Sequence, residues 1–389
     1  MARASPNRDG WTVLVAYAGV CVATQVLWLS YAAITTETAR RYGVSSGAVG
    51  WLAEIFPLLY VLLALPGGAL LDRWFRPSLA ASGLLVAAGG LVRLGGETFA
   101  WAMAGQVLVA GAQPVAVSAV SKLAGQYLPA AQRPAGIALG AGAGFLGMLL
   151  ALLLGPTVGG HGHLERLLVL EAALALIPGV ALALALRREP GHASAEHAAI
   201  EGGAARALWR LGRVRALCGL VFVGFGIFVA LATWLQTLLE PDGVSEATAG
   251  GLLVGMVLAG TVGCAAVPQR IAGERAERRF TLGAVTVAGF GCATLGIVTW
   301  LPARAAVLAL IGLALLPALP VVLTAVERLA GAAAGTAGAI IWLAGNLGGL
   351  VVALLVQALS GSPLAAFGAL AVVAALGLPA ALRIGPADG

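Results

Sequence analysis

Polar and aromatic side chains lie deep inside several long apolar segments of this chain, where they could bind a small organic solute. Gln25, Trp28 and Tyr31 follow one another at three-residue steps, a spacing that tends to bring side chains towards one face of a helix. Amides offer neutral hydrogen-bond partners, and each aromatic ring attracts a quaternary ammonium by about 0.5–2 kcal/mol. The predicted substrate contacts over the whole chain are Gln25, Trp28, Tyr31, Gln113, Thr233, Trp234, Trp342 and Asn346.

These residues also have structural interpretations. Tryptophan is common at membrane interfaces, and we interpret Trp300 and the other tryptophans near segment ends in that way. The amide of Asn346 could equally bond a neighbouring helix. A buried amide such as Gln113 needs partners, which favours a binding role for it.

Glu54 is the acidic residue with the most open interpretation. It lies in the second apolar segment, in WLAEIFP. An intramembrane carboxylate could carry a proton, could pair with a cationic substrate, or could be solvated in an outer vestibule. We predict Glu54 as the candidate for proton coupling and leave all three roles open.

The composition places these residues in a membrane protein. Of 389 residues, 60% are hydrophobic and 10% are charged, whereas a soluble domain usually carries about 25% charged residues. The basic residues fall in short breaks between apolar segments and form no continuous basic face, which argues against nucleic-acid binding. No metal or cofactor site is expected, because the four cysteines lie singly in apolar segments. An enzyme is not expected either, since all four histidines lie outside the segments.

The apolar segments predict an all-α membrane protein with twelve transmembrane helices, because about 20 apolar residues cross a bilayer. The predicted helices start near Trp11, Ser46, Ser78, Thr98, Ala135, Leu164, Leu217, Glu246, Phe280, Ala305, Ala333 and Pro363. The charged, Ala/Gly-rich stretch 187–216 follows the sixth. We therefore predict a six-helix bundle over 1–186, a cytoplasmic linker over 187–216 and a second six-helix bundle over 217–389.

The distribution of basic residues predicts the orientation. With twelve crossings, 18 of the 23 basic residues lie on the side of the termini. By the positive-inside rule, both termini are then cytoplasmic. The basic residues predicted for loops on the opposite side are Arg40, Arg41, Arg93, Arg166 and Arg304.

The turn after the second helix contains the segment GALLDRWFR (Gly68–Arg76). It resembles the signature of the major facilitator superfamily, a G-x-x-x-D-R/K-x-G-R/K pattern, with Phe75 where the pattern has Gly. An internal repeat agrees, because Gly43-Val44-Ser45 recurs as Gly243-Val244-Ser245 at the same place in the second half. The resemblance implies that Asp72 holds a neighbouring helix end while basic residues pair with acids. The alternative is a positive-inside anchor without a latch. The predicted latch residues are Gly68, Asp72, Arg73, Arg76, Arg133, Glu327 and Arg328.

A narrower resemblance covers about a third of the chain. Three segments, Gln25–Ile34, Gly43–Gly83 and Ala104–Pro129, are similar to the feline leukaemia virus subgroup C receptor-related family, which carries choline and ethanolamine. The resemblance implies substrate contacts for Trp28 and Gln113. The sequence departs from the pattern of this family near Thr233 and Asn346, and Glu54 has no counterpart in the family. Glu171, in the usually peripheral sixth helix, is expected to have no functional role.

We therefore expect an alternating-access transporter of a small organic solute, with a choline-like amine favoured. Protons are a possible second partner, and the lipid bilayer surrounds the protein. A monomer in the inner (plasma) membrane is expected. The alternatives are a proton-coupled exporter of hydrophobic compounds or organic anions and, from another class, a non-transporting membrane receptor.

Overall fold

The described residues of the computed structural model, 6–160, 162–190, 203–271 and 273–384, contain helices and no β-strand. They fall into two compact units. The first comprises 1–202 and 330–339, and the second comprises 203–329 and 340–389. The change of unit after residue 202 lies inside the predicted linker, whereas 330–339 joins the first unit.

The first unit consists of eight helices followed by the start of a later one. They are α1 (Pro6–Ala33), α2 (Thr35–Tyr42), α3 (Ser46–Arg73), α4 (Phe75–Val92), α5 (Phe99–Ser118), α6 (Val120–Tyr127), α7 (Arg133–Leu154) and α8 (Leu164–Ala185). Within this unit α1 packs on α7 and α8, and α4 packs on α5 and α8. Helix α3 packs on α5 and contains Pro57 and Pro66 in its interior.

The second unit contains the remaining helices. They are α9 (Ala204–Arg210), α10 (Gly212–Leu239), α11 (Glu246–Ala266), α12 (Glu274–Ile297), α13 (Leu301–Leu315), α14 (Ala318–Ala330), α15 (Ala334–Ala358), α16 (Pro363–Leu376) and α17 (Leu378–Leu382). Helix α15 starts in the first unit and continues into the second from Ile340. Within the predicted linker, α9 and the first turn of α10 are helical.

The internal repeat has the same local conformation in both halves. Gly43 and Gly243 adopt left-handed φ values of 65° and 77°, which glycine adopts without strain. Two residues later, Ser45 and Ser245 are N-caps whose side chains accept hydrogen bonds from Ala48 and Thr248. The repeated tripeptide therefore encodes the same helix start twice.

Eleven segments of the described residues are long and apolar enough to cross a membrane. One of them, 301–358, has 58 residues, much more than one crossing needs. Several helices begin a few residues before the predicted segments, as α12 does at Glu274. Charged first turns continue a helix beyond the apolar part that marks it in the sequence.

Candidate functional site

Trp28 is held by helix α3 through a hydrogen bond that a proline makes available. The indole Nε1 donates to the carbonyl oxygen of Ala53 at 2.9 Å. That carbonyl would accept from the residue four positions later, which is Pro57 and has no N–H. The Trp28 ring also stacks on Phe56, with 5.8 Å between ring centroids. The donor of Trp28 is thus occupied inside the protein, and its half-buried ring can contact a solute.

Gln25 faces a different helix from Trp28. Its side chain is 3% exposed, and its Oε1 atom has no hydrogen-bond partner within the described residues. Gly147 of α7 lies so close that a Cβ atom there would be 2.8 Å from the Cβ of Gln25. A buried acceptor without a partner is costly, so this oxygen is suited to a donor from a solute.

Tyr31 faces a third direction and is fully buried. Its ring lies 5.0 Å from the guanidinium carbon of Arg93, within a core that includes Val49, Leu52 and Leu164. Two three-residue steps leave Tyr31 about 120° away from Gln25 on an α-helix. The three side chains therefore do not share one face: Trp28 contacts α3, Gln25 lies against α7, and Tyr31 packs against the buried guanidinium of Arg93.

Gln113 occupies helix α5 beside Pro114 and is 5% exposed. The helix approaches α3 here, since a Cβ at Gly67 would be 3.5 Å from the Cβ of Pro114. The prediction that Gln113 contacts the substrate stays a prediction.

The predicted substrate contacts of the second unit differ in whether their hydrogen-bond donors already have a partner. Thr233 donates to Val229 O at 2.8 Å, and Asn346 Nδ2 donates to Trp342 O at 2.8 Å, both within their own helices. The indole N–H groups of Trp234 and Trp342 are buried without a partner among the described residues. The Trp342 ring meets Phe225 edge to face, at 5.9 Å. The two indoles are therefore the polar groups here that a solute could satisfy.

Glu54 is exposed on an apolar face of helix α3. Its neighbours on that face, Trp51 and Leu58, are also exposed. No basic side chain in the described part of the chain forms an ion pair with Glu54. The carboxylate is thus accessible, and the three roles predicted for it stay open.

Asp72 binds the start of helix α15 inside the first unit. Its Oδ1 accepts from the backbone N–H of Gly335 and its Oδ2 from that of Thr336, both at 2.9 Å. These N–H groups belong to the first turn, where an α-helix has unsatisfied donors and a positive dipole end. Backbones approach closely here, because a Cβ at Gly68 would lie 2.8 Å from the Cα of Thr336. The acid expected to hold a neighbouring helix end therefore has the geometry for it.

Lys122 belongs to the same cluster, and the sequence analysis did not select it. Its Nζ lies 3.0 Å from Asp72 Oδ1, and it also donates to Ala332 O at 3.2 Å. The Nζ is 5.9 Å from the ring centroid of Phe75, the residue that replaces the glycine of the signature. One signal was available, since Lys122 is the only lysine among the 23 basic residues.

The arginines predicted for the latch contact other groups. Arg73 lies over the Trp74 ring at 4.5 Å, and Arg76 Nε donates to Leu186 O at 2.7 Å. Arg133 Nε donates to Leu128 O at 3.3 Å. In the second unit Arg328 pairs with Glu277 of α12, while Glu327 beside it is buried. Two of these arginines thus connect separate helices, α4 to the end of α8 and α14 to α12, while Asp72 bonds the first turn of α15.

A buried charge cluster in the first unit was missed by the sequence analysis. Arg93, expected in an outer loop, and Glu171, expected to have no role, form an ion pair of 2.7 Å with both side chains 0% exposed. Arg93 also donates to Leu27 O at 2.5 Å and to the amide oxygen of Gln106. The available signal was Glu171 itself, because an acid inside an apolar segment requires a partner.

The comparisons with known proteins agree with a membrane carrier. The profile of the Major Facilitator Superfamily matches residues 13–353. The chain therefore belongs to the Major Facilitator Superfamily, as its signature indicated, and it is a carrier and not an enzyme.

Among curated relatives, solute carrier family 49 member A3 of Danio rerio is 28% identical over 80% of this chain and 69% of its own length. The choline/ethanolamine transporter FLVCR2 of Rattus norvegicus is 25% identical over 39% of this chain and 29% of its own length. The choline/ethanolamine transporter flvcr2b of Danio rerio is 23% identical over 75% of this chain and 64% of its own length. The resemblance to the feline leukaemia virus receptor-related family is thereby confirmed.

Two solved structures have the same fold. The human organic anion transporter MFSD10 (TETRAN) has a TM-score of 0.75 at 18% identity, covering 96% of this chain and 99% of that one. The Escherichia coli fucose:proton symporter FucP has a TM-score of 0.73 at 14% identity, covering 96% and 98%. At these identities the similarity concerns the fold alone.

Proposed function

We propose that this protein transports a small choline-like amine across the membrane by alternating access. The observation that carries the proposal is the Trp28 ring, fixed by Ala53 and Phe56 and left half-buried. A rigidly held indole is well suited to a quaternary ammonium, which it attracts through its π face. Relatives whose names specify choline and ethanolamine support the same substrate class.

In this proposal, Gln25 binds the hydroxyl group of the substrate. Its unpartnered Oε1 is a hydrogen-bond acceptor one turn before Trp28. Choline and ethanolamine both carry a hydroxyl donor besides the amine. The unpartnered indole N–H groups of Trp234 and Trp342 support the prediction that these residues contact a solute.

The latch proposal rests on the Asp72 and Lys122 contacts with the start of α15. That helix continues into the second unit, so holding its first turn favours one state of the carrier. Releasing those bonds lets the helix move, as alternating access requires. Glu327 and Arg328 serve the corresponding turn of the second half.

The proposed topology has twelve crossings. The 58-residue segment 301–358 divides at Gly331, whose φ of 51° interrupts the helix between α14 and α15. Two crossings there, with ten elsewhere, give two six-helix bundles over 1–186 and 217–389 joined by a linker over 187–216. The protein is a monomer in the plasma (inner) membrane, and the excess of basic residues places both termini in the cytoplasm.

Uptake of labelled choline into proteoliposomes tests the proposal. We expect saturable uptake, and Trp28→Ala should raise the KM about tenfold, as loss of a cation–π contact would. Trp300→Ala is the matched control, because that indole is 69% exposed and near a helix end. Equal effects of the two variants would contradict an aromatic site at Trp28. Absence of both uptake and binding at millimolar choline would exclude choline.

The second candidate function is proton-coupled export of hydrophobic compounds or organic anions. It is favoured by Glu54, an exposed carboxylate on an otherwise apolar face. Glu54→Gln should then abolish the dependence of transport on a pH gradient while preserving exchange of substrate. Unchanged coupling in this variant would remove Glu54 from the mechanism.

A further inference from the structure

The guanidinium of Arg93 is the centre of a cluster of side chains deep in the first unit. It is located at the end of helix α4 and is paired with Glu171 of α8. Its Nη2 atom donates both to the Leu27 carbonyl of α1 and to the Gln106 amide oxygen of α5. One cation thus touches three other helices through directional, charge-assisted bonds.

Two further hydrogen bonds, made by neighbouring residues, complete a closed chain of contacts that starts and ends at Arg93; we call it the Arg93 circuit. Trp28 follows Leu27 and donates to the Ala53 carbonyl at 2.9 Å. The residue before Ala53 is Leu52, whose carbonyl accepts from Gln106 Nε2 at 2.8 Å. The Arg93 circuit comprises Arg93, Leu27, Trp28, Ala53, Leu52 and Gln106.

We propose that Arg93 is a positioning residue for Trp28, acting through the backbone of Leu27 and through Gln106. The proposal rests on the proposed function, in which the Trp28 ring contacts the amine. Arg93 is itself fully buried, so its role is to fix where the indole stands. Gln106 fixes the Leu52–Ala53 backbone that receives the indole N–H, which sets the other side of the same contact.

The ionic character of the cluster supports a positioning role over a purely stabilising one. A buried ion pair often stabilises a protein no more than well-packed apolar residues would. Its bonds are directional, however, and they select one register of the helices that carry them. Glu171 neutralises the guanidinium, and it leaves Nη2 for Leu27 and Gln106.

The corresponding helices of the second unit lack these groups. Helix α12 has no charged residue after Arg279, and α16 has none at all. At the offset of the internal repeat, Trp28 corresponds to Phe228, a ring without a donor. The circuit thus belongs to the half that carries the indole it fixes.

A double-mutant cycle in the full-length protein tests the proposal. Gln106→Leu opens the circuit and leaves the Arg93–Glu171 pair, while Trp28→Phe keeps an aromatic ring and removes the donor. We expect Gln106→Leu to raise the KM for choline about tenfold, the effect of one charge-assisted bond, with Vmax within about twofold. Because both changes break the same circuit, the double variant should be no worse than the more affected single variant.

Lysine substitutions provide the matched control. Arg93→Lys keeps the charge but lacks the fork that reaches three acceptors, so its KM should rise as in Gln106→Leu. Arg304→Lys changes another buried, ion-paired arginine in the second unit and should leave the KM unchanged. If Arg93→Lys fails to fold, Gln106→Leu decides the question alone. An unchanged KM in folded Gln106→Leu, or fully additive effects in the cycle, would overturn the proposal.

The melting temperature of the unliganded protein separates this proposal from the proposed function. The circuit predicts that the losses in Tm from Gln106→Leu and Trp28→Phe are not additive, whereas each adds to that of Arg304→Lys. If the wild type does not carry choline, the proposed function fails and the Tm cycle still decides the circuit. Additive Tm losses for Gln106→Leu and Trp28→Phe would show that the circuit does not connect Arg93 to Trp28.

Discussion

The two units use their polar side chains in different ways. In the first unit, side chains bond from one helix to another: Tyr17 donates to Ala116 O at 2.7 Å, and Tyr60 bonds Ser118 at 3.0 Å. Among the described residues of the second unit, five threonines donate to the carbonyl four residues earlier in their own helix. They are Thr233, Thr261, Thr281, Thr294 and Thr324.

Charges show the same difference. The Arg93–Glu171 pair is fully buried within the first unit, whereas Arg304 of the second pairs with Asp242, which is 37% exposed near a helix end. Directional bonds between helices resist sliding and tilting, while bonds inside one helix do not. We expect the first unit to be the stiffer of the two, because its most buried polar bonds join separate helices.

The largest effect should come from removing one partner of a buried pair. Glu171→Ala leaves Arg93 as an uncompensated buried cation, which typically costs about 3–5 kcal/mol. Asp242→Ala also leaves a buried arginine, but the lost carboxylate is 37% exposed and water can replace it, so the cost should be smaller. Thermal melts of the two purified variants in detergent measure the difference. Equal losses in Tm would contradict the stiffer first unit.

A medium effect is expected where α15 is held at Asp72. In Gly335→Ala the new Cβ would lie 2.6 Å from Asp72 Oδ1, so the carboxylate or the helix start must shift. Overpacking of this kind costs about 1–3 kcal/mol, and we expect the Vmax of transport to fall at least as much as in Asp72→Asn.

Gly255→Ala is the control for this change. No atom lies within 4 Å of its Cβ position, and alanine in a helix interior is favoured over glycine by about 0.5–1 kcal/mol. This variant should keep its transport rate and melt no lower than the wild type. Full transport by Gly335→Ala would refute the latch at Asp72.

The fold was largely predictable from the sequence because hydropathy and the signature turn are local patterns. The helix starts predicted near Ser46 and Glu246 agree with those of α3 and α11, and Asp72 was selected from its motif. Partners distant in sequence were not predictable in this way. Lys122 bonds Ala332, which lies 210 residues later and just before α15, and only the folded chain brings the two residues together.

The direction of side chains was the second feature that could not be predicted from the sequence. Trp28 and Tyr31 were grouped by spacing, but the helical turn directs them to α3 and to Arg93. The Trp28–Ala53 bond depends on Pro57, because a proline has no N–H to bond the Ala53 carbonyl. From the sequence, an internal proline indicates a kink, and the free carbonyl four residues earlier is easily overlooked. Arg93 followed an apolar segment and was counted as a loop charge, because its partner Glu171 lies on another helix.

The smallest predicted effect compares one hydroxyl from each unit. Ser118→Ala leaves the buried Tyr60 hydroxyl without its partner, at a cost of about 1–3 kcal/mol. Thr261→Val removes a hydroxyl that bonds only Val257 of its own helix, and surface-like changes of this kind stay within about 0.5 kcal/mol.

The double variant Tyr60→Phe with Ser118→Ala sharpens this comparison. It removes both hydroxyls, so no buried polar group is left unpaired, and stability should return close to that of the wild type. Thermal melts of the wild type, Tyr60→Phe, Ser118→Ala and the double variant measure the coupling between positions 60 and 118. If Ser118→Ala costs no more than Thr261→Val, the bond between α3 and α5 contributes nothing to the stiffness of the first unit. The contrast between the units would then depend on the Tyr17 bond and on the Arg93 cluster, which also links α3 and α5 through Gln106.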